Sequence, residues 1–334
     1  MKYPCLVTTD LHLVDSPTTS YRWDLFPWIN QQVVKYGVRS IRILGDITDA
    51  KDNHPASLVN RLVGSLQALH TDDLMILAGN HDWLLRGQEF FRFLNFLPGV
   101  RFITQPTEDA TVAYGDSIIM LPFTKTPAKD WADIDWGHYD YAFMHQTVAG
   151  ARASNGQVME GEGVPPMGVR KRVYSGDIHV PQTIKGVTYI GSPYHVHFGD
   201  DFSPRVLLLD AGGKETWLQM PSPRRVVINV ASLAELRRME LDEGDQVKLR
   251  MTLTLEEKHA WSRIKREAVA ILEDKGAIVQ GTELRLDKTT QGVDRDAARH
   301  HATLTPADLV MRYVQRDELG GAVYDAGMDV LEAP

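Results

Sequence analysis

The sequence predicts an α/β protein built as a helix-flanked two-sheet β-sandwich, with a small α+β capping domain and C-terminal helices after it. Three observations carry this. At the start of the 334-residue chain, the short apolar runs "YPCLVTT", "VRSIRILGD" and "DDLMILAGNHD" alternate with two helical stretches. A long middle region then holds further short apolar runs with few helices between them. Finally the composition shifts at "MPSPRRVVINV", where a Pro-Ser-Pro linker precedes new material. A chain of this length exceeds the usual size of one compact domain, so a large domain plus a smaller one is expected.

Taken in order, the first helical stretch "YRWDLFPWINQQVVKYG" closes at a Gly, and the second, "PASLVNRLVGSLQALH", has a Pro near its start and apolar residues at helical spacing. This β-α-β-α-β order implies a partly parallel sheet whose strand ends project polar residues into a shared crevice. "ATVAYGDSIIMLPF", "YDYAFMHQ", "RKRVYSGDIHV", "GVTYIGSPY" and "RVLLLDAGGKETWLQM" read as short strands and hairpins of a second sheet packed on the first. The large domain is thus expected over residues 1–222. After it, "DQVKLRMTL", "LEEKHAWSRIKREAVAILEDKG" and "AIVQGTELRLD" make a β-α-β unit in a small domain over 223–288, with the apolar stripe of its helix as core. A connector over 289–304 precedes two terminal helices over 305–334, the first capped by Thr305. Internal repeats and low-complexity tracts are absent.

The net charge of −8 counts against a surface coated in basic residues, although a local basic path is compatible with it. No stretch approaches the ~18 uninterrupted apolar residues of a membrane helix, and "MKYPCLVTTD" lacks a signal-peptide apolar region. A cytoplasmic protein without membrane attachment is expected. The single cysteine, Cys5, sits in an apolar run and reads as a buried thiol.

Two lines share one pattern: "VTTDLHL" sets Asp10 two residues before His12, and "YSGDIHVPQ" sets Asp177 two residues before His179. Asp and neutral His are good ligands for a borderline divalent metal, and i, i+2 spacing on a strand-to-loop turn points both side chains one way. One such pair alone is more often a solvated loop than a site. The weight changes with "GDITD" and "GNHD", which place Asp46, Asn80 and His81 at the ends of apolar strands behind a Gly that permits a tight turn. His145, at the end of "YAFMHQ", is a further case, although a lone histidine there is more often a satisfied core residue.

In that order and spacing, "DLH", "GDITD", "GNHD", a strand-terminal His and a final G-x-x-H resemble the calcineurin-like metallophosphoesterase superfamily over residues 6–200. Within it, "GDIHVPQTIKGVTYIGSPYHVHFGD" is similar to the SbcD-type DNA repair nucleases, in which a G-S-P segment followed by F-G-[DE] closes the catalytic domain. Here those residues are Gly191, Ser192 and Pro193, then Phe198, Gly199 and Asp200. The resemblance implies that Asp10, His12 and His179 hold one metal and Asn80 and His145 another, with Asp46 bridging. It implies His81 as general acid, oriented by Asp82 or Asp49, and Mn²⁺ as the metal pair, with Mg²⁺ second. It also implies DNA as substrate, a capping domain, an SbcC-type ATPase docked by the terminal helices, and a homodimer.

One departure stands out. The family's usual last motif is G-H-x-H, whereas here Asp177 takes the position of a ligand histidine. As a ligand it makes a harder, more anionic site that favours Mn²⁺ or Mg²⁺; otherwise it hydrogen-bonds a ligand from behind. Arg170, Lys171 and Arg172 form the clearest basic cluster and are candidates to contact a DNA backbone, or else a solvated strand end. Trp83 and Arg86 are candidates to line the cleft, with Trp83 alternatively packed beneath it. His195 and His197 in "YHVHFG" read as substrate-facing or structural. The competing functions are a small-molecule phosphodiesterase and a catalytically weak scaffold subunit.

Overall fold

The computed structural model describes residues 1–83, 87–109, 115–161 and 168–287. The expected connector, the terminal helices with Thr305, and Arg86 lie outside the described residues. The chain divides into two compact units: Met1–Ile228 with Glu240–Lys248 and Leu272–Gly281, and Asn229–Met239 with Leu249–Ile271 and the residues from Thr282.

The first unit holds two six-stranded sheets. In the first, β1 (Cys5–Thr8), β2 (Ser40–Ile43), β3 (Leu74–Leu77) and β4 (Val100–Ile103) run parallel in that order. The second contains β5 (Thr107–Glu108), β6 (Ile118–Leu121), β7 (Tyr141–His145), β8 (Arg172–Gly176), β9 (Gln182–Ile184) and β10 (Val187–Tyr189), in the order β5-β6-β7-β8-β10-β9. The hairpin of β11 (Val206–Leu209) and β12 (Glu215–Leu218) returns to the first sheet, antiparallel to β1. Hairpins join only part of the second sheet: β6, β7, β8 and β10 pair in parallel. Parallel pairing needs a crossover, and the short α3 (Pro127–Asp130) lies in the one between β6 and β7.

Side-chain alternation builds the layers. Cys5 and Val7 of β1 join Met75 and Leu77 of β3 in a core shared with Met120, Tyr141, Phe143 and Tyr174 of the second sheet. Leu6, Ile41, Ile43 and Ile76 point the other way, into a core with α1 (Leu25–Tyr36) and α2 (Ala56–Gln67). Leu121, Ala142, Met144 and Val173 cover the opposite face of the second sheet. The fold is therefore the mixed α/β arrangement of two large sheets flanked by helices. Helix α1 starts at Leu25, so Pro27 falls in its first turn, where no N–H is needed. It ends on Gly37, left-handed at φ 64°, whose N–H bonds the Val33 carbonyl.

A three-stranded sheet follows, ordered β13 (Arg225–Val230), β14 (Gln246–Leu253) and β15 (Ile278–Leu286). Between its strands lie α4 (Leu233–Arg238) and α5 (Trp261–Asp274). Ser232 caps α4 by accepting from the Glu235 N–H at 3.2 Å. Ile264, Ala268 and Leu272 form the buried stripe of α5.

Candidate active site

Parallel strands put like ends on one side. The C-terminal ends of β1, β2 and β3 carry Asp10 and His12, Asp46, and Asn80 and His81, while β7 and β8 deliver His145, Asp177 and His179. The backbone is bent to do so. Among the described residues the non-glycine positions with positive φ are Asp10 (53°), His12 (40°), Asp46 (53°), Asp177 (78°) and Lys185 (48°). Four of these five are metal-ligand candidates, and left-handed backbone outside glycine concentrates at functional sites. The loops extend the sheet ladder past the strands, with Asp10 N–H on Gly45 O at 3.1 Å and His12 N–H on Asp46 O at 3.0 Å.

Glycines beside the ligands provide room as well as turns. Gly45 is left-handed at φ 96°, as a tight turn requires. Gly79 and Gly176 are not, and a Cβ there would collide with the Asp46 carboxylate or with Thr9 Oγ1. They are bare because Asp46 and the imidazole of His145 fill the space at Gly79, and Thr9, the Leu44 carbonyl and the same imidazole fill it at Gly176.

The donor set is compact, with Asp10, His12, Asp46 and His145 buried and Asn80 and His179 partly exposed. Ligand atoms of Asp10, His12 and His179 lie within 4.8 Å of one another, as do those of Asp10, Asp46 and His145. His145 Nδ1 faces the Leu44 carbonyl, so it carries the hydrogen and leaves the Nε2 lone pair on the other side of the ring. That lone pair meets only acceptors: Asp46 Oδ1 and Asn80 Oδ1, each at 3.4 Å, and Asp177 Oδ1 at 3.8 Å. His12 Nε2 stands 3.0 Å from His179 Nε2 and 3.5 Å from Asp46 Oδ2, and Asp10 Oδ2 is buried without a hydrogen-bond partner. Acceptors facing acceptors in a buried pocket are what divalent cations fit. Asp10, His12, His179 and Asp46 would hold one ion, and Asp46, Asn80 and His145 a second. The Asp177 carboxylate uses Oδ2 to accept from Thr147 and keeps Oδ1 toward His145, while its N–H donates to Asp10 Oδ1 at 3.1 Å. It stands outside all three compact sets of ligand atoms, the third being His12, Asp49 and His81.

Electrostatics agree. Burial pushes the Asp10 carboxyl up to about 8, with Asp46 and Asp177 adding to the rise and His145 opposing it. Burial, then the Asp82 charge, raises Asp46 well above the ordinary carboxylate range. Burial lowers His12 to about 4, and burial with the neighbouring His12 holds His179 well below the usual imidazole range. His12 and His179 are therefore neutral and ready to ligate, and the carboxylates of Asp10 and Asp46 need positive charge beside them to ionise together.

A family model described as calcineurin-like phosphoesterase matches residues 3–181, more than half of the chain. The chain belongs to this family. It is thus a hydrolase acting on phosphoesters, and divalent metals are the family's cofactors. A search of curated proteins finds no match.

Around the metal centre of this phosphoesterase, His81, like His179, is partly exposed. Its Nδ1 donates to the Asp49 carbonyl at 2.6 Å, so Nε2 is free, and its N–H bonds Asp46 Oδ1 at 2.9 Å. The two expected orienting residues divide differently from the sequence reading. Asp49 holds His81 through its backbone carbonyl, whereas its carboxylate lies 3.2 Å from His12 Nδ1 and is itself lowered to about 2 by that contact. Asp82 is fully buried and accepts from the N–H groups of Gly79 (2.7 Å), Asp46 (2.9 Å) and Ile47 (3.0 Å). It ties the second and third ligand loops together rather than meeting the His81 ring.

The basic cluster does not reach the centre. Arg170, Lys171 and Arg172 stand at the start of β8, the end opposite Gly176, ~13 Å along a five-residue strand. Each is matched by a carboxylate: Asp140 at 3.0 Å, Asp116, and Glu215 at 3.4 Å. Trp83 packs beside Phe123 at 5.9 Å, and Phe123 in turn edges His145 at 6.4 Å, so Trp83 supports the floor. His195 is buried and structural, bonding Phe202 O at 2.9 Å. His197 is exposed and stacks on His179 at 5.2 Å.

Sequence reasoning missed Arg22, Thr147 and the role of Asp200. Buried Arg22 donates to His12 O and to Val196 O (3.0 Å), locking the first ligand loop to the loop bearing His197. Asp200 accepts from Val196 N–H (2.9 Å) and His197 N–H (2.8 Å) and so shapes that loop. The F-G-D pattern marked Asp200 by position, but nothing local to Arg22 or Thr147 signals contacts this distant in sequence.

Proposed function

We propose that the chain is a dinuclear-metal-dependent DNA phosphodiesterase: a double-strand 3′ exonuclease and single-strand endonuclease, working as a homodimer with an SbcC-type ATPase in DNA end processing in the cytoplasm. The supporting observation is the shape of the site. Two open clefts of about 430 Å³ and 570 Å³ share Thr147, Met159 and Asp177 in their walls. One is lined by His179, His197 and Phe198, the other by Asn80, Phe123 and Lys125. A polymer can enter along one cleft and leave along the other with a single phosphodiester over the ligand cluster, whereas a small ester needs only one. Among the described residues no helix is long and apolar enough to cross a membrane.

Bound divalent ions would neutralise phosphate oxygens and lower the pKa of water. The chain supplies the rest. Hydrolysis forms a bond from water oxygen to phosphorus and breaks the bond to the leaving oxygen, which needs a proton. As an imidazolium carrying a proton on each nitrogen, His81 is placed to give the one on Nε2, because the Asp49 carbonyl holds the proton on Nδ1; the ring then returns to the neutral form. Harder oxygen ligands, with Asp177 close by, favour Mn²⁺ or Mg²⁺.

The test is cleavage of end-labelled linear duplex DNA and of a small aryl phosphodiester with Mn²⁺, Mg²⁺ or EDTA. Stepwise shortening that EDTA stops is expected. Hydrolysis of the diester with DNA untouched, even beside a candidate ATPase, would remove the nuclease reading and leave the phosphoester hydrolase.

A further inference from the structure

The basic residues that stand out in the sequence are spent on carboxylates, which raises the question of what could hold a polyanion at the clefts. Asp177 and Glu160 line the second cleft and repel one, so the position of each unpaired cation matters. Lys125 is exposed and lines that cleft beside Phe123. At the rim of the first cleft, the Phe198 ring has Arg225 Cζ at 4.2 Å and Lys248 Nζ at 5.3 Å from its centroid. Arg225 is held in place by donating to Val196 O, so it anchors the loop. Lys248 is exposed on β14, and no carboxylate partner occurs for it or for Lys125 among the described residues.

We infer that Lys248 with Phe198 on one side, and Lys125 on the other, form a phosphate track for a nucleic-acid strand, flanking the scissile phosphate in both directions. The inference rests on the nuclease reading and assigns its backbone contacts to these residues instead of Arg170–Arg172. Two ammonium groups with no carboxylate partner among the described residues, one beside each cleft that Asp177 lines, suit a strand that passes through the site, and a ring carrying a cation is a surface that backbone and base can share.

The probe is a fluorescein-labelled single-stranded oligonucleotide, with anisotropy read across a salt series. The proteins are wild type, Lys125→Ala, Lys248→Ala and Arg170→Ala, each checked by thermal melting. Each lysine variant is expected to reduce the slope of log affinity against log salt by ~0.7, the value for one phosphate contact on single strands. The ratio of DNA to aryl-diester turnover should fall with it, and Arg170→Ala should keep the wild-type slope. Wild-type slopes in both lysine variants, a reduced slope in Arg170→Ala, or an equal loss on DNA and diester would overturn the track. If wild type hydrolyses the diester but neither binds nor cuts DNA, the nuclease reading falls too; if it binds and cuts DNA while the lysine variants match it, only the track falls.

Discussion

The two ends of β8 handle charge in opposite ways. At its start, Arg170, Lys171 and Arg172 are half-exposed and each meets a carboxylate. At its finish, beyond Gly176, buried Asp10, Asp46 and His145 meet one another's acceptors and Asp10 Oδ2 has no donor. Charge that the fold has already matched with charge is structural. Polar groups that it gathers in the dry and leaves facing like groups mark where a ligand completes the structure, and they cost too much to keep otherwise.

The largest expected break comes at the functional end. His81→Ala removes the free Nε2 and breaks the His12, Asp49 and His81 set, while leaving the two sets built on Asp10 intact, so kcat should fall ~10²–10⁴-fold, with Mn²⁺ affinity by calorimetry unchanged. A parallel loss of metal binding would show that His81 is a ligand rather than the acid. The loss should shrink for aryl esters whose leaving group departs without a proton.

Asp49→Ala comes next and separates two roles that share one residue. Its carboxylate faces His12 and its carbonyl faces His81. Truncation keeps the carbonyl, so metal affinity should weaken ~10–100-fold, as for other partners behind a ligand histidine, without the leaving-group dependence of His81→Ala. If the variant instead copies His81→Ala at full metal affinity, the carboxylate acts on the acid.

How much of this was legible in the sequence follows from range. Asp10, His12, Asp46, Asn80, His81, His145, Asp177 and His179 could be gathered because each ends an apolar run, and parallel strands must present their ends together. The alternating cores of β1 and β3 were legible for the same reason. Which atoms meet was not. That Asp82 would serve backbone N–H groups, or that Arg22 would bridge to Val196, depends on loops 36 and 174 residues apart in sequence. The basic run misled because a one-dimensional cluster says nothing of the carboxylates from Asp116, Asp140 and Glu215 that fold onto it. The parallel pairing within the second sheet was likewise hidden, since short apolar runs look alike in hairpins and in crossovers.

A smaller effect sharpens the same contrast through pH. Asp10 has its folded pKa raised from 3.8 to about 8, and Asp46 is raised as well, so the metal-free folded chain holds protons that the unfolded chain has lost. This contribution is full below about 4 and disappears as pH rises through about 8. His12 acts oppositely: lowered from 6.5 to about 4, it costs stability as pH falls from 6.5. Between pH 6.5 and 8 the two carboxylates act together and the Met1 amino group, lowered from 8.0 by burial, opposes them; with two groups against one, the melting temperature with EDTA should decline across that window. Added Mn²⁺ should displace those protons, making the metal-induced rise in melting temperature larger at pH 8 than at 6.5. A flat profile with EDTA would mean that the carboxylates are ionised without metal.

The smallest effect belongs to the other end of the strand. Arg172 is 62% exposed and its Nε lies 3.4 Å from Glu215, so Arg172→Ala should cost under ~1 kcal/mol in a denaturant melt, as exposed pairs do. Glu215 also accepts the buried Tyr174 hydroxyl at 2.8 Å. Removing Glu215 strips that hydroxyl of its partner, so Glu215→Ala should cost more, ~1–3 kcal/mol. The hydroxyl–carboxylate hydrogen bond beneath the ion pair, rather than the ion pair, is then what holds this end of β8 together. A larger loss in Arg172→Ala than in Glu215→Ala would reverse that order and return the arginine to a role beyond the strand end.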